Sequence, residues 1–228
     1  MILFYRIIST IIYPFLILIT IFRIFLKKEH NIRFKEKIFP KYFNVTKKER
    51  SNLIWFHAAS IGEFKSIMPI IEEINKNYKD IQILITTVTL SSANLAKDEL
   101  KRFNNVEHRF FPLDIKFLIE KFLKAWKPRA IFLVDSEIWP NLILSSKIKK
   151  IPLCVINARI TKKSFKRWML FPSTSKKIFN SINLFLASNL ETTNFLNKLS
   201  IKNVVYNGNI KLLSQVKKKN LKNLNKNI

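Results

Sequence analysis

The chain has 228 residues, 48% hydrophobic and 13% aromatic, with 41 Lys and Arg against 15 Asp and Glu for a net charge of +26. That much apolar and aromatic content excludes a disordered chain, and the length suits one compact domain with appendages. The charge favours an anionic partner, and because Lys and Arg are scattered through the sequence without a nucleic-acid motif, no nucleic acid is expected among the partners.

The first element is apolar. "IISTIIYPFLILITIF" runs without a charge from Ile7 to Phe22, with Lys27, Lys28, Arg33, Lys35 and Lys37 following. It predicts a membrane anchor over 1–28, spanning or lying within one leaflet, followed by a basic juxtamembrane segment over 29–50. The basic flank places the domain on the cytoplasmic side, and no small-residue cleavage site marks a signal peptide.

From residue 53 onward, short apolar runs alternate with longer amphipathic stretches. The runs are "LIWFH", "QILIT", "VEHRF", "AIFLV", "PLCVI", "NLFLA" and "NVVY". Most are continuous in Ile, Leu, Val and Phe, as strands buried on both faces are, and the intervening segments are long enough for helical crossovers. The expected fold is therefore α/β: a Rossmann-like parallel sheet with flanking helices over 51–213, preceded by the anchor helix. Cys154, alone in "PLCVI", reads as a small core hydrophobe, and one cysteine with three scattered histidines gives no metal-ligand spacing.

In such sheets ligands gather beyond the carboxyl ends of the strands, so the polar residues after each run are the candidates. After "LIWFH" comes "AASIGEF", holding Ser60, Gly62 and Glu63. Glycine there suits a turn needing a positive φ or close approach, and Glu63 falls in the first helical turn, as a base or as an ordinary N-terminal helix residue. "DSEIWPN" follows "AIFLV" and supplies Asp135, Glu137, Trp139 and Asn141, with helix capping by Asp135 or Ser136 as the alternative. "NARITKKS" follows "PLCVI" with Asn157 and Arg159 for an anion, and "NGNIK" follows "NVVY" with Gly208, Asn209 and Lys211. The Lys- and Asn-rich 214–228 reads as a linker or tail.

The order "HAASIGE", "DSEIWPN", "NARITKKS", "NGNIK" resembles the 3-deoxy-D-manno-octulosonic acid (Kdo) transferases of lipopolysaccharide synthesis over roughly residues 1 to 213. The resemblance implies a glycosyltransferase of the two-domain GT-B fold, of which this sequence carries the N-terminal, acceptor-binding domain. It implies transfer of Kdo from CMP-Kdo, with no cofactor or metal, to the anionic lipid A precursor at the cytoplasmic face of the inner membrane, in contact with its phospholipid. By the same resemblance Glu63 is the general base and Asp135 the second acidic site, where the family usually carries Glu. Ser60, Gly62, Glu137, Trp139, Asn141, Asn157, Arg159, Gly208, Asn209 and Lys211 are then acceptor or anion contacts or site scaffolding. The donor-binding half is expected from a separate C-terminal domain, leaving residues 1–228 inactive alone. The alternative is a non-catalytic, membrane-tethered binding protein for an anionic lipid or sugar.

Overall fold

The computed structural model describes residues 1–43 and 52–211. The predicted tail over 214–228 and the last part of the juxtamembrane segment lie outside the described residues.

All seven expected strands form, β1 (Leu53–His57), β2 (Gln82–Thr87), β3 (Val106–Phe110), β4 (Ala130–Val134), β5 (Leu153–Ala158), β6 (Leu184–Ala187) and β7 (Val204–Tyr206). They make one sheet in the order β3-β2-β1-β4-β5-β6-β7, every neighbouring pair parallel. The helices are α1 (Ile2–Phe25), α2 (Lys35–Ile38), α3 (Ile61–Asn77), α4 (Leu90–Glu99), α5 (Lys116–Trp126), α6 (Pro140–Ile148), α7 (Lys162–Met169), α8 (Pro172–Phe179) and α9 (Leu190–Lys198). The chain winds outward from β1 to β3, crosses back through α5 to set β4 beside β1, and then winds the other way. The direction of winding thus reverses between β1 and β4, which opens a crevice at their carboxyl ends.

Side chains alternate between two cores, as a pleated strand requires. Trp55, Leu84, Ile131, Leu133, Val155 and Phe185 point to one face, where α5, α6, α8 and α9 bury Phe122, Trp126, Leu142, Phe179 and Leu196. Phe56, Ile83, Ile85, Val134 and Ile156 point to the other, against Phe64, Ile67 and Ile71 of α3 and Ala96 of α4. Residues 64, 67 and 71 recur at helical spacing, so α3 forms because its apolar stripe meets the sheet.

The N-terminal helix is two-faced along its whole length. Leu3, Phe4, Ile7, Ile11, Phe15, Leu18, Phe22 and Phe25 are exposed. The opposite stripe docks on the domain. The Tyr5 hydroxyl donates to Asp114 Oδ2 at 2.9 Å, Arg6 Nε donates to Asn141 Oδ1 at 3.3 Å, and the Tyr13 hydroxyl donates to the Ile38 carbonyl at 2.8 Å. Tyr13 also meets Phe117 edge-on at 5.2 Å, and both Tyr13 and Leu16 lean on the first core.

The following segment is not a free basic flank. Lys37 is buried, with Nζ 2.5 Å from Glu29 Oε2 and 2.8 Å from the Val88 carbonyl, while Glu29 also pairs with Arg23 at 3.0 Å. Arg33 grips Glu36 through both oxygens at 2.7 and 3.0 Å, and Glu36 Oε2 accepts the Phe110 N–H at 3.0 Å. Arg33 and Lys37 therefore latch residues 29–37 to the carboxyl edge of β2 and β3, leaving Lys27 and Lys28 exposed.

Candidate functional site

Ser60 ends the β1–α3 connection in an extended conformation (φ −118, ψ 166) and caps α3. Its hydroxyl oxygen accepts the Glu63 N–H at 3.3 Å, and the Glu63 carboxylate answers by accepting the Ser60 hydroxyl at 2.9 Å and the Ala59 N–H at 2.7 Å. This is a capping box, and it holds the Glu63 carboxylate back over the tip of β1. Burial raises the Glu63 carboxyl above its ordinary value, and the charge of Glu137 adds to the rise, against the pull of the Ser60 and Ala59 hydrogen bonds and of His57. A half-buried carboxylate with raised proton affinity is suited to accept a proton.

Gly62 has neither of the roles expected of it. Its φ is not positive, and a Cβ built there meets no atom within 4 Å. It is exposed in the first turn of α3, so its effect is to leave the helix N-terminus beside Glu63 bare. The left-handed backbone falls instead on Asp135 (φ 64), Asn157 (φ 54) and Gly208 (φ 75). Asp and Asn are the non-glycine residues that tolerate this region best, which accounts for their presence at the ends of β4 and β5.

The acidic residue that meets Glu63 electrostatically is Glu137, from the β4–α6 connection. Glu137 Oε2 accepts the Trp139 indole N–H at 2.8 Å and lies 3.4 Å from His57 Nε2. Sequence reasoning passed over His57, because it closes an apolar run. It is fully buried, stacks on Phe111 at 4.0 Å, and its Nδ1 is 2.9 Å from Thr86 Oγ1. Thr86 Oγ1 already accepts the Trp55 indole N–H at 2.9 Å, so its own proton is available to Nδ1. Nε2, facing a carboxylate, then carries the imidazole proton. Phe111 and Trp139, 5.1 Å apart, floor the arrangement.

A second group forms where β4, β5 and β7 end. Asp135 Oδ2 accepts from Lys211 Nζ at 2.6 Å, Asn209 Oδ1 accepts the Lys211 N–H at 3.0 Å, and the Ser136 hydroxyl donates to the Arg159 carbonyl at 2.7 Å. The Arg159 side chain is exposed at this rim. Asn157 and Asn141 are buried, and their side chains serve the fold. Asn157 Oδ1 accepts the Ile210 N–H at 3.1 Å and so fixes the "NGNIK" turn. Asn141 Nδ2 donates to the Asp114 carbonyl at 2.6 Å, while the Asp114 carboxylate caps α6 through the Asn141 and Leu142 N–H groups at 3.0 and 2.9 Å.

The structure thus gathers Ser60, Gly62, Glu63, Glu137, Trp139 and His57 at the β1–β4 crevice, and Asp135, Arg159, Gly208, Asn209 and Lys211 beside it. The docking contacts of α1 fall at the same end of the sheet. Asp114 and Phe117 follow β3 and Asn141 follows β4.

Comparison with known proteins gives a consistent family. The model of the 3-deoxy-D-manno-octulosonic-acid transferase (kdotransferase) family matches residues 33–214. A 3-deoxy-D-manno-octulosonic acid transferase of Rickettsia felis is 34% identical over 164 residues, 72% of this chain and 35% of that protein. The one from Rickettsia bellii is 29% identical over 213 residues, 92% and 49% respectively. A probable mitochondrial 3-deoxy-D-manno-octulosonic acid transferase of Arabidopsis thaliana is 44% identical over 127 residues, 54% of this chain and 28% of that one. The matched region spans less than half the length of these relatives. Among solved structures, UDP-GlcNAc 2-epimerase of Neisseria meningitidis superposes with a TM-score of 0.53 at 16% identity, covering 77% of this chain and 52% of the epimerase. UDP-N-acetylglucosamine 2-epimerase of Rickettsia bellii gives 0.53 at 12%, covering 73% and 47%. At such identities the likeness concerns the fold.

Proposed function

The chain belongs to the 3-deoxy-D-manno-octulosonic acid transferase family, and on that premise we propose that it forms the acceptor half of a Kdo transferase, with Glu63 as the general base. The observation that carries the reading is the Glu63 carboxylate, held at the β1 tip with raised proton affinity, beside Glu137 and at the edge along which α1 docks.

In the proposed reaction a hydroxyl of the lipid A precursor attacks the anomeric carbon of Kdo. The new C–O bond forms as the bond to the CMP phosphate breaks, CMP leaves with the electron pair, and the hydroxyl proton passes to Glu63. A positioned base contributes on the order of 10² to 10⁴-fold to such a step. Burial keeps the proton affinity of Glu63 high, and the charge of Glu137, braced by Trp139 and His57, adds to it. Arg159 and Lys211, on the adjoining rim, are placed for the acceptor's phosphates, Lys211 exchanging Asp135 for phosphate. We assign CMP-Kdo chiefly to a second domain, in the same polypeptide or in trans, since the described residues form a single Rossmann-like unit.

The lipid acceptor would reach this edge from a membrane on which α1 lies. The docked stripe from Tyr5 to Arg23 and the exposed apolar stripe run in parallel, which supports an in-plane helix half sunk in one leaflet. A crossing orientation would give up those docking contacts. The inner membrane and its cytoplasmic face are taken from the family reading, with Lys27 and Lys28 the cations left exposed beside α1.

The test is a transfer assay on vesicles carrying the lipid A precursor, with CMP-Kdo, with and without the C-terminal domain of a Rickettsia relative. Turnover confined to the supplemented reaction is expected. Full turnover by the chain alone would refute the division of labour, and none in either reaction would refute the enzyme reading in favour of a tethered binding protein.

A further inference from the structure

The turn between α7 and α8 is unlike the surface of a water-facing domain. Met169, Leu170 and Phe171 stand in succession at 40, 70 and 48% exposure, where a connecting turn is normally polar. Exposed basic side chains lie on the two flanking helices, Lys166 and Arg167 in the turn of α7 that leads into them, Lys162 and Lys163 at the start of α7, and Lys176 and Lys177 on α8. Between Glu137 and Glu191 the sequence holds no Asp or Glu. Among the described residues, none of these six cations forms an ion pair.

The turn is rigidly mounted. Trp168 packs edge-on against Phe179 at 5.1 Å, the Ser175 hydroxyl donates to the Trp168 carbonyl at 2.6 Å, and Phe165 stacks on Phe195 at 4.4 Å. The aromatic side chains of α7 thus face inward, while its lysines and the apolar tip face out. The mount also belongs to the helical layer that carries α1. Ile178 and Phe179 of α8 lie in the core against which Tyr13 and Leu16 of α1 pack, and Thr161 starts α7 from the carboxyl end of β5.

We propose that Met169–Phe171 and the flanking lysine and arginine side chains form a second membrane contact, inserting into an anionic phospholipid leaflet and, together with α1, fixing the tilt of the site edge over the lipid. The charge sign selects the partner. Apolar side chains enter the acyl region while flanking cations meet headgroup phosphates, and the cations attract anionic lipid before insertion. Two contacts on one layer define an orientation that a single amphipathic helix, free to roll about its axis, does not. The proposal rests on the membrane placement of α1 given above, and the test separates the two.

Single nitroxide labels are placed by Leu170→Cys, Ile11→Cys and Lys79→Cys in a Cys154→Ala background, and each labelled chain is bound to phosphatidylcholine vesicles with or without phosphatidylglycerol. Lys79 lies at the opposite end of the sheet, between α3 and β2, as the aqueous reference. At residue 170, power saturation on anionic vesicles is expected to show a severalfold rise in oxygen accessibility relative to a water-soluble nickel chelate, with a smaller rise on phosphatidylcholine alone. Lys166→Glu with Arg167→Glu should abolish the rise at 170 and leave that at 11. Residue 170 remaining aqueous while residue 11 inserts would overturn the second contact and leave the placement of α1 standing. Both remaining aqueous would overturn the two together. Equal insertion of 170 with and without phosphatidylglycerol would overturn the choice of anionic lipid.

Discussion

Replacing Glu63 separates the base from the helix cap, because the same carboxylate has both duties. It accepts the Ser60 hydroxyl and the Ala59 N–H at 2.9 and 2.7 Å, and the proposed reaction asks it to accept a proton as well. Glu63→Gln keeps a carbonyl oxygen for the Ala59 N–H, while its amide NH2 replaces the oxygen that accepted the Ser60 hydroxyl and can only donate to it, so the variant loses charge assistance and that one acceptor, a cost of about 1 kcal/mol. Glu63→Ala loses both bonds and strands the Ala59 N–H, for about 1 to 3 kcal/mol. An amide has no useful proton affinity, so both variants should lose about 10² to 10⁴-fold in turnover, equivalent to roughly 3 to 5 kcal/mol of transition-state stabilisation. Urea unfolding of each variant gives the first quantity. Transfer by the same variants with the donor-binding domain supplied gives the second. The reasoning predicts that Gln is nearly as stable as wild type and nearly as inactive as Ala. Wild-type turnover in Glu63→Gln would leave Glu63 a cap and nothing more, as would activity that declines only in step with stability.

Gly62→Ala should leave folding unchanged or raise stability by up to about 1 kcal/mol, since the added methyl meets nothing within 4 Å and φ is not positive. An acceptor KM raised severalfold by the same variant would show that the bare helix terminus faces substrate, and an unchanged KM would remove Gly62 from the acceptor surface. Glu137→Gln removes a negative neighbour that raises Glu63, so Glu63 should ionise at lower pH and the acid limb of kcat/KM should move to lower pH; a move to higher pH would contradict the pairing. His108 is buried beside Arg33 and Arg109, with Nε2 2.9 Å from Thr87 Oγ1, and burial followed by those two cations pushes its imidazole down to about 3. The unfolded chain takes up that proton near pH 6.5 and the folded one does not. His108 therefore favours the fold above pH 6.5 and costs up to about 1.4 kcal/mol per pH unit as pH falls below it, a loss complete only below about pH 3. Glu63 and Asp114, whose carboxyls are raised chiefly by burial, act in the opposite sense at lower pH. Urea titrations from pH 7 to 5 should accordingly lose this slope in His108→Gln, and an unaltered slope would refute it.

The sequence by itself determined the sheet and the family. Strands buried on both faces must be continuous apolar runs, so "AIFLV" and "QILIT" announce β4 and β2 without reference to any partner. Ser60 and Glu63 at capping-box spacing likewise mark where α3 begins. What periodicity does not encode is which strand lies beside which. The return crossover through α5 put β4 against β1 and brought Glu137, rather than Asp135, into electrostatic contact with Glu63. The same tertiary packing turned Asn141 and Asn157 inward, assigned the left-handed backbone to Asp135 and not to Gly62, and buried His57 at the end of an apolar run. It also laid one stripe of α1 on the domain and drew Arg33 and Lys37 into internal pairs. An apolar helix with a basic flank can cross a bilayer or lie along it, and its local sequence is the same in both. The hydrogen bonds and contacts its side chains make with distant residues, such as Tyr5 with Asp114 and Tyr13 with Ile38, are what support the in-plane placement proposed above.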